Sequence, residues 1–423
     1  MAQGPLPGFR DFYPDEFAER AYITGVWRDV ARRFAFVEYD GPPLENLELY
    51  TRKSGDEIVG QLYSFTDKGD RDVALRPEMT PTLARMVAAR AQALRKPVRW
   101  FSIPQLFRYE RQQKGRLREH FQLNVDIIGE SGLAADAELL ACAVELMRSF
   151  GLTTADVRAR VSDRRMLNAL LASTGVATAQ LPQAYAAIDK LGREPIDVTR
   201  EKFRKATGSA ETASALEEML AAKTTSQLRD LPSLSDAARE SLDRMDEYFT
   251  LLEALGVRDW VDLDLSIVRG LAYYTGTVFE LFDARGEFRA ICGGGRYDDL
   301  LEAIGGTSLP ALGFGMGDVV LGELLKARGI MPKSKVTPDF WVASDDESAL
   351  QRVMAVASAL RSKGRSAEYS LKTQSLSRQL KAAAASGARE AVILKKNSPT
   401  VTVRNLADGS ERSADTESFF ASL

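Results

Sequence analysis

Trp100-Phe-Ser-Ile-Pro-Gln-Leu-Phe-Arg-Tyr-Glu-Arg-Gln-Gln-Lys-Gly-Arg-Leu-Arg-Glu-His-Phe-Gln-Leu-Asn-Val-Asp-Ile-Ile-Gly129 sets two strand-like runs on either side of a loop crowded with arginines. From Arg95 to Arg118 there are eight Lys or Arg and a single acid, Glu110. The chain as a whole carries 56 basic and 59 acidic residues, a formal net charge of -3, so this positive charge is a local feature. The runs read as a hairpin. Side chains alternate along a strand, so Arg108 and Glu110 share a face, as do Gln122, Asn124 and Asp126. Arginine's planar fork bonds phosphate or carboxylate oxygens in pairs, which suits such a hairpin to holding an anion. A solvated loop that only paired with neighbouring acids would need no such density of one sign.

Working outward, residues 17 to 36 space apolar side chains as a helix does, behind Pro14 and Asp15. Val37 to Tyr39, Leu62 to Phe65 and Val73 to Leu75 read as short strands, and Pro81 to Leu94 as a helix. Beyond the hairpin come a helix at Ala134 to Phe150 and a strand at Val157 to Val161. The segment from Arg164 to about Leu255 then loses strand character and turns helical. Strands are expected again at Val261 to Ile267, Thr277 to Phe282 and Phe288 to Ile291, before a glycine cluster and an apolar helix from Gly317.

A polar, proline-flanked connector with Pro332, Lys333, Ser334 and Lys335 precedes a βαβ pattern built on Phe340-Trp-Val-Ala, a helix near Glu347 to Lys363, and Ala391-Val-Ile-Leu. The expected class is α+β, with a largely antiparallel core sheet interrupted by a helical insertion and followed by a small α/β domain. In residues, 1–163 and 257–330 form the core, 164–256 the insertion, 331–337 the linker and 338–423 the last domain.

At 423 residues with 45% apolar side chains, the chain has material for two or three cores. Two cysteines, Cys142 and Cys292, exclude a disulfide framework and a cysteine-rich zinc site, and they fit the cytoplasm. The N-terminus lacks a basic region followed by an apolar core. No stretch approaches the roughly 18 to 20 apolar residues of a membrane span, so a soluble protein is expected. His120 is the only histidine. That removes mechanisms needing paired histidines and leaves it a packing or stacking role.

Phe107-Arg-Tyr-Glu110, a basic loop with Lys114, Gly115, Arg116 and Arg118, and a returning strand with an aromatic together resemble motif 2 of class II aminoacyl-tRNA synthetases. Arg269-Gly-Leu-Ala-Tyr-Tyr-Thr-Gly-Thr-Val-Phe-Glu280 and Cys292-Gly-Gly-Gly-Arg-Tyr-Asp-Asp-Leu300 resemble the two histidine-recognition segments of histidyl-tRNA synthetases. Leu75-Arg-Pro-Glu-Met-Thr80 and Gly8-Phe-Arg-Asp11 match the same family in the same order. The resemblance covers nearly the whole chain. It implies a class II synthetase-type antiparallel core and an anticodon-binding-like C-terminal domain, in which Ser375-Leu-Ser-Arg-Gln-Leu-Lys381 matches the family's helix.

The activity it implies is ATP-dependent attachment of histidine to tRNA through an adenylate. Arg108 and Arg269 are then the catalytic cations, because fixed positive charge stabilises the oxyanions that build up on the α-phosphate. Glu110 and Arg116 join Arg108 in binding ATP, Arg116 at the outer phosphates. His120 and Phe121 both stand where the family places an aromatic under adenine, and period two lets only one face the nucleotide. Glu78, Thr80, Gln122, Arg269, Tyr273, Tyr274 and Tyr297 match the histidine contacts, with Gly293, Gly294 and Gly295 allowing close approach. Mg2+ is expected with the nucleotide, its ligands unassigned. A homodimer is implied as well, with no sequence feature of its own behind it.

Two positions depart from the pattern. Gly313-Phe-Gly-Met-Gly-Asp-Val-Val-Leu321 puts Val320 where the third class II signature has an arginine on the terminal phosphate, and Ala272 replaces a usual aspartate. These losses keep a rival open: a histidine-sensing paralogue such as the regulatory subunit of ATP phosphoribosyltransferase. The C-terminal domain argues against it. A class II enzyme for another amino acid is disfavoured by the paired tyrosines. Lys372, Arg378 and Lys381 fit a tRNA-binding face and a solvated helix face equally well.

Overall fold

The computed structural model describes residues 4–51, 60–111, 113, 115–191, 194–268, 274–332, 337–396 and 398–423. The chain separates into two compact units, Met1–Asp11 with Glu19–Pro332, and Phe12–Ala18 with Lys333–Leu423.

The first helix, Pro14–Arg33, opens on proline with Asp15 and Glu16 in its first turn and closes on Arg32 and Arg33, charges that oppose the helix dipole. It buries Ile23, Trp27, Val30 and Ala31, spaced along one face. Short strands follow: β1 (Val37–Glu38), β2 (Leu44–Asn46), β3 (Tyr63–Thr66) and β4 (Asp72–Leu75). The last three form a small sheet in the order β2-β4-β3. After the helix Thr80–Ala88 the hairpin region gives β5 (Val98–Ser102), β6 (Gln105–Phe107) and β7 (Glu119–Ile128).

Period two decides everything about β7. Leu123, Val125 and Ile127 enter the main core against Trp27, Phe101 and the helix Leu133–Ser149. His120, Gln122, Asn124 and Asp126 therefore share the opposite face. Further along are β8 (Val157–Asp163), β9 (Val261–Leu263), β10 (Thr277–Asp283), β11 (Cys292–Arg296) and β12 (Ala311–Gly317). The large sheet runs β1-β5-β7-β12-β11-β10-β8-β9, with β6 paired to β7. Its neighbours are antiparallel apart from β1 with β5 and β8 with β9.

Between β8 and β9 the chain is helical, and its caps are written locally. Asp163 accepts from the backbone N–H groups of Arg165 and Met166 to start Arg164–Ser173. Ser209, Thr224 and Ser235 cap the helices Ala210–Ala221, Thr225–Arg229 and Asp236–Ala254. Leu167, Leu171, Met245 and Leu252 join these helices to the main core.

The expected strand at Phe288 to Ile291 is a correction. Pairing begins at Cys292 and runs through the glycines themselves. A Cβ on Gly294 would lie 2.5 Å from the Gly313 carbonyl oxygen and 2.8 Å from Phe314 Cα. The run is glycine because neighbouring strands crowd it, and a strand built that way carries no apolar alternation to reveal it.

The second unit orders β14 (Ala367–Tyr369), β13 (Phe340–Ser344), β15 (Glu390–Leu394), β16 (Thr400–Asn405) and β17 (Glu411–Asp415) in one sheet. The first three are parallel, joined through the helices Leu350–Ser362 and Leu376–Ser386. Val342, Leu360, Val392 and Val403 centre its core.

Candidate functional site

The site lies on the face of β7 turned from the core, above strands whose own residues there are glycine. Gly313 and Gly315 of β12 pair with Asp126 and Asn124, and Gly293 and Gly295 of β11 pair with Gly315 and Gly313. Strand partners directly opposite share a face, so this face is bare of side chains across two strands. A Cβ on Gly315 would fall 2.3 Å from Gln122 Nε2. The hollow exists because side chains are missing from its floor.

Two cavities of about 150 Å³ each open along this face. One is lined by Arg108, Glu110, Arg116 and His120 with Gly317, Val319 and Val320. The other is lined by Glu78, Thr80, Gln122, Asp126, Tyr274 and Tyr297, and again by Arg108. Arg108 is thus a wall common to both. Its Nε donates to the Pro77 carbonyl at 2.9 Å, which ties the hairpin to the turn carrying Glu78.

In the first cavity Arg116 forms an ion pair with Glu110, which is 7% exposed. His120 faces this cavity, with its Nε2 3.3 Å from Gln122 Oε1. Burial, and after it the Arg108 guanidinium, holds the imidazole down to about 4, so it is neutral at pH 7. Phe121 points the other way. Its N–H donates to Asp318 Oδ1 at 3.0 Å, and the Arg20 guanidinium lies 4.4 Å from its ring centre. Of the two aromatics left open by the sequence, His120 is the one on the cavity face.

In the second cavity burial raises the Glu78 carboxyl and the nearby Arg108 pulls it back. Gln122 donates to Asn124 Oδ1 at 2.9 Å. Asp126 accepts from the Tyr297 hydroxyl at the bottom of the hollow, and burial pushes its carboxyl up to about 7, with the tyrosine bond opposing. Tyr297 follows Arg296, which is 1% exposed and pairs with Asp136 at 2.5 Å. That buried pair fixes the end of β11 from the core side.

The structure therefore gathers Glu78, Thr80, Arg108, Glu110, Arg116, His120, Gln122, Tyr274 and Tyr297 around two cavities that share Arg108 and sets Phe121 on the far face. Arg269 and Tyr273, with Ala272, lie outside the described residues. Asp126 and Asn124 were not among the expected site residues. Their signal was available: 120, 122, 124 and 126 are four successive polar positions on one face of a strand whose other face is apolar. Gly294 and Gly295 serve strand packing, since a Cβ on Gly295 would meet the Thr277 carbonyl oxygen at 2.6 Å. Gly293 does line the cavity.

Among the described residues no group of three His, Cys, Asp or Glu side chains is placed to hold a metal ion, and no helix is long and apolar enough to cross a membrane. Two cavities sharing one guanidinium can bring two anionic groups together at Arg108.

A family model described as Histidyl-tRNA synthetase matches residues 8–317. A histidine--tRNA ligase of Opitutus terrae is 44% identical over 95% of this chain and 93% of that protein. The chloroplastic/mitochondrial histidine--tRNA ligase of Arabidopsis thaliana is 40% identical over 96% of this chain and 84% of its own length. Among solved structures, histidyl-tRNA synthetase from Nostoc sp. PCC 7120 superposes with a TM-score of 0.84 over 100% of both chains at 22% identity, a likeness of fold.

Proposed function

The chain belongs to the histidyl-tRNA synthetase family, and from that premise we propose that its two cavities receive ATP and histidine and that it charges tRNA with histidine. The observation that carries this reading is the position of Arg108, in the wall of both cavities. A histidine carboxylate on one side and the α-phosphate of ATP on the other would meet beside that guanidinium.

The carboxylate oxygen attacks the α-phosphorus, a new P–O bond forms, and the bond to the β-phosphate bridging oxygen breaks to release pyrophosphate. Negative charge grows on the equatorial oxygens in between. A fixed cation there stabilises the transition state more than the ground state. Arg269 is proposed as the second such cation. The 3′-terminal ribose hydroxyl of tRNA then attacks the activated carbonyl and releases AMP, so no protein nucleophile is required.

The remaining residues divide by cavity. Neutral His120 offers a flat face to adenine without repelling the nearby arginines. Arg116 exchanges Glu110 for phosphate oxygens. Glu78, whose carboxyl burial raises, takes the substrate's ammonium as its partner, and that neighbouring charge favours the carboxylate. Asp126, with Tyr297 and Gln122, accepts the imidazole N–H at the bottom of the hollow. A site built to bond that N–H rejects amino acids lacking it, because its buried polar groups would be left unpaired. Thr80 and Tyr274 complete the walls.

Mg2+ is proposed to arrive with ATP, held chiefly by phosphate oxygens and water, with Glu110 the carboxylate at hand; it would neutralise charge on the polyphosphate. The enzyme is further proposed to act as a cytoplasmic homodimer, with tRNA also engaged by the second unit.

Pyrophosphate exchange run with each amino acid tests the reading. Exchange with histidine alone, reduced by a factor of roughly 100 or more in Arg108→Ala, is expected. Histidine binding without exchange would replace the synthetase by a sensor built on the same fold.

A further inference from the structure

The cavity assigned to the nucleotide has a second neighbour. Past Val320 and Gly115, which line both, lies a more open hollow of about 410 Å³ lined by Gln113, Glu287, Phe288, Arg289 and Glu323. Gly115 has φ +74°, and a Cβ there would stand 3.3 Å from Val320 Cγ2, so the hairpin loop lies directly against that valine. Arg289 comes from the segment between β10 and β11 and reaches the same loop, where its Nη2 donates to Gln113 Oε1 at 2.6 Å.

The acid nearest to Arg289 in sequence, Glu287, is engaged by Arg328 at 3.1 Å, and Arg328 also holds Asp283 and Asp156. Glu323 borders the same hollow, yet no carboxylate lies within ion-pair distance of Arg289 among the described residues. The guanidinium is exposed and bonded to one neutral amide oxygen.

The first cavity, about 150 Å³, is smaller than the roughly 300 Å³ or more of ordinary ligand pockets. A nucleoside triphosphate must therefore extend out of it. With the α-phosphate at Arg108, the amino-acid cavity is taken by histidine. The adjoining hollow lies past Val320, whose side chain offers no charge, and presents Arg289.

We propose that Arg289, positioned by Gln113, binds the β- and γ-phosphates of ATP and supplies the cation absent at Val320. This rests on ATP being the ligand of the first cavity. Arginine's paired donors suit phosphate oxygens, and release from a single neutral acceptor costs little compared with breaking an ion pair.

The test compares ATP with AMP, which lacks the outer phosphates. Binding of each to the full-length protein is measured by equilibrium dialysis at fixed Mg2+ for the parent, Arg289→Ala, Arg289→Lys and Arg289→Ala with Val320→Arg. Exchange kinetics are run beside it. The expectation is a loss of ATP affinity of roughly tenfold or more in Arg289→Ala, AMP affinity unchanged, and partial recovery with lysine or with arginine at 320. The KM for ATP should rise while the KM for histidine stays. Unchanged ATP affinity, or equal losses for ATP and AMP, would overturn the assignment. A parent that prefers ATP over AMP through Arg289 yet fails to exchange with histidine would leave this inference standing and remove the synthetase reading. A parent that binds neither nucleotide would remove both.

Discussion

His120 and Asp126 sit six residues apart on one strand face, and burial moves their protons in opposite senses. The imidazole is held down to about 4 and stays neutral; the carboxyl is raised to about 7. Stacking on a base is worth about 1–3 kcal/mol by alanine substitution, so His120→Ala should raise the KM for ATP correspondingly. His120→Phe should restore it, and Phe121→Ala should leave it alone, since that ring faces Arg20. Equal effects at 120 and 121 would contradict the face assignment. For Asp126 the ordinary carboxyl value is 3.8. Between that and about 7 the folded protein keeps a proton that the unfolded chain has lost. The group's contribution to stability is therefore present below 3.8 and is lost as the pH rises through about 7. Asp126→Asn should then be more resistant to urea than the parent at about pH 8, with the gap narrowing toward about pH 5. Its KM for histidine should rise at the higher pH, where the parent has its carboxylate. A parent no less stable at the higher pH would show that the carboxyl is not buried without charge.

At the scale of elements, β11 and β12 carry the site by what they lack. Leu312, Phe314 and Met316 pack into the core while Gly313, Gly315 and Gly317 leave the other face open. Gly294 is tight for a different reason, since its neighbours are backbone atoms that no rotamer can clear. Gly294→Ala should cost about 1–3 kcal/mol in chemical denaturation. Gly25→Ala, inside the first helix with nothing within 4 Å, should instead stabilise by about 0.5–1 kcal/mol. Equal effects would mean that strand crowding is not what selects glycine at 294. Sequence patterns found β7 and β8 because apolar residues alternate in them, and β10 because it is an apolar run buried on both faces. They passed over β12, whose Leu312, Phe314 and Met316 alternate with glycine, and shifted β11, because glycine carries little β propensity and masks a strand built on it.

At the scale of the whole molecule, the two cavities belong to the first unit, whereas Lys372, Arg378 and Lys381 stand exposed on or beside the Leu376–Ser386 helix of the second. Contacts to a nucleic-acid backbone weaken steeply with salt, and charge contacts inside buried cavities do so far less. Raising salt from about 50 to about 200 mM should therefore raise the KM for tRNA by an order of magnitude or more while pyrophosphate exchange changes little. Exchange falling in step with charging would argue that salt acts on the cavities. The α+β class, the polar face of the hairpin strand and the family are legible in the amino-acid order alone, because period, charge density and motif order are local properties of a chain. That His120 rather than Phe121 faces the cavity, that Asp126 closes the second hollow, and that Arg289 comes beside Val320 emerge only on folding. Those are relations between distant residues, Phe121 and Asp318 being 197 positions apart, set by strand order and register, which no local pattern encodes.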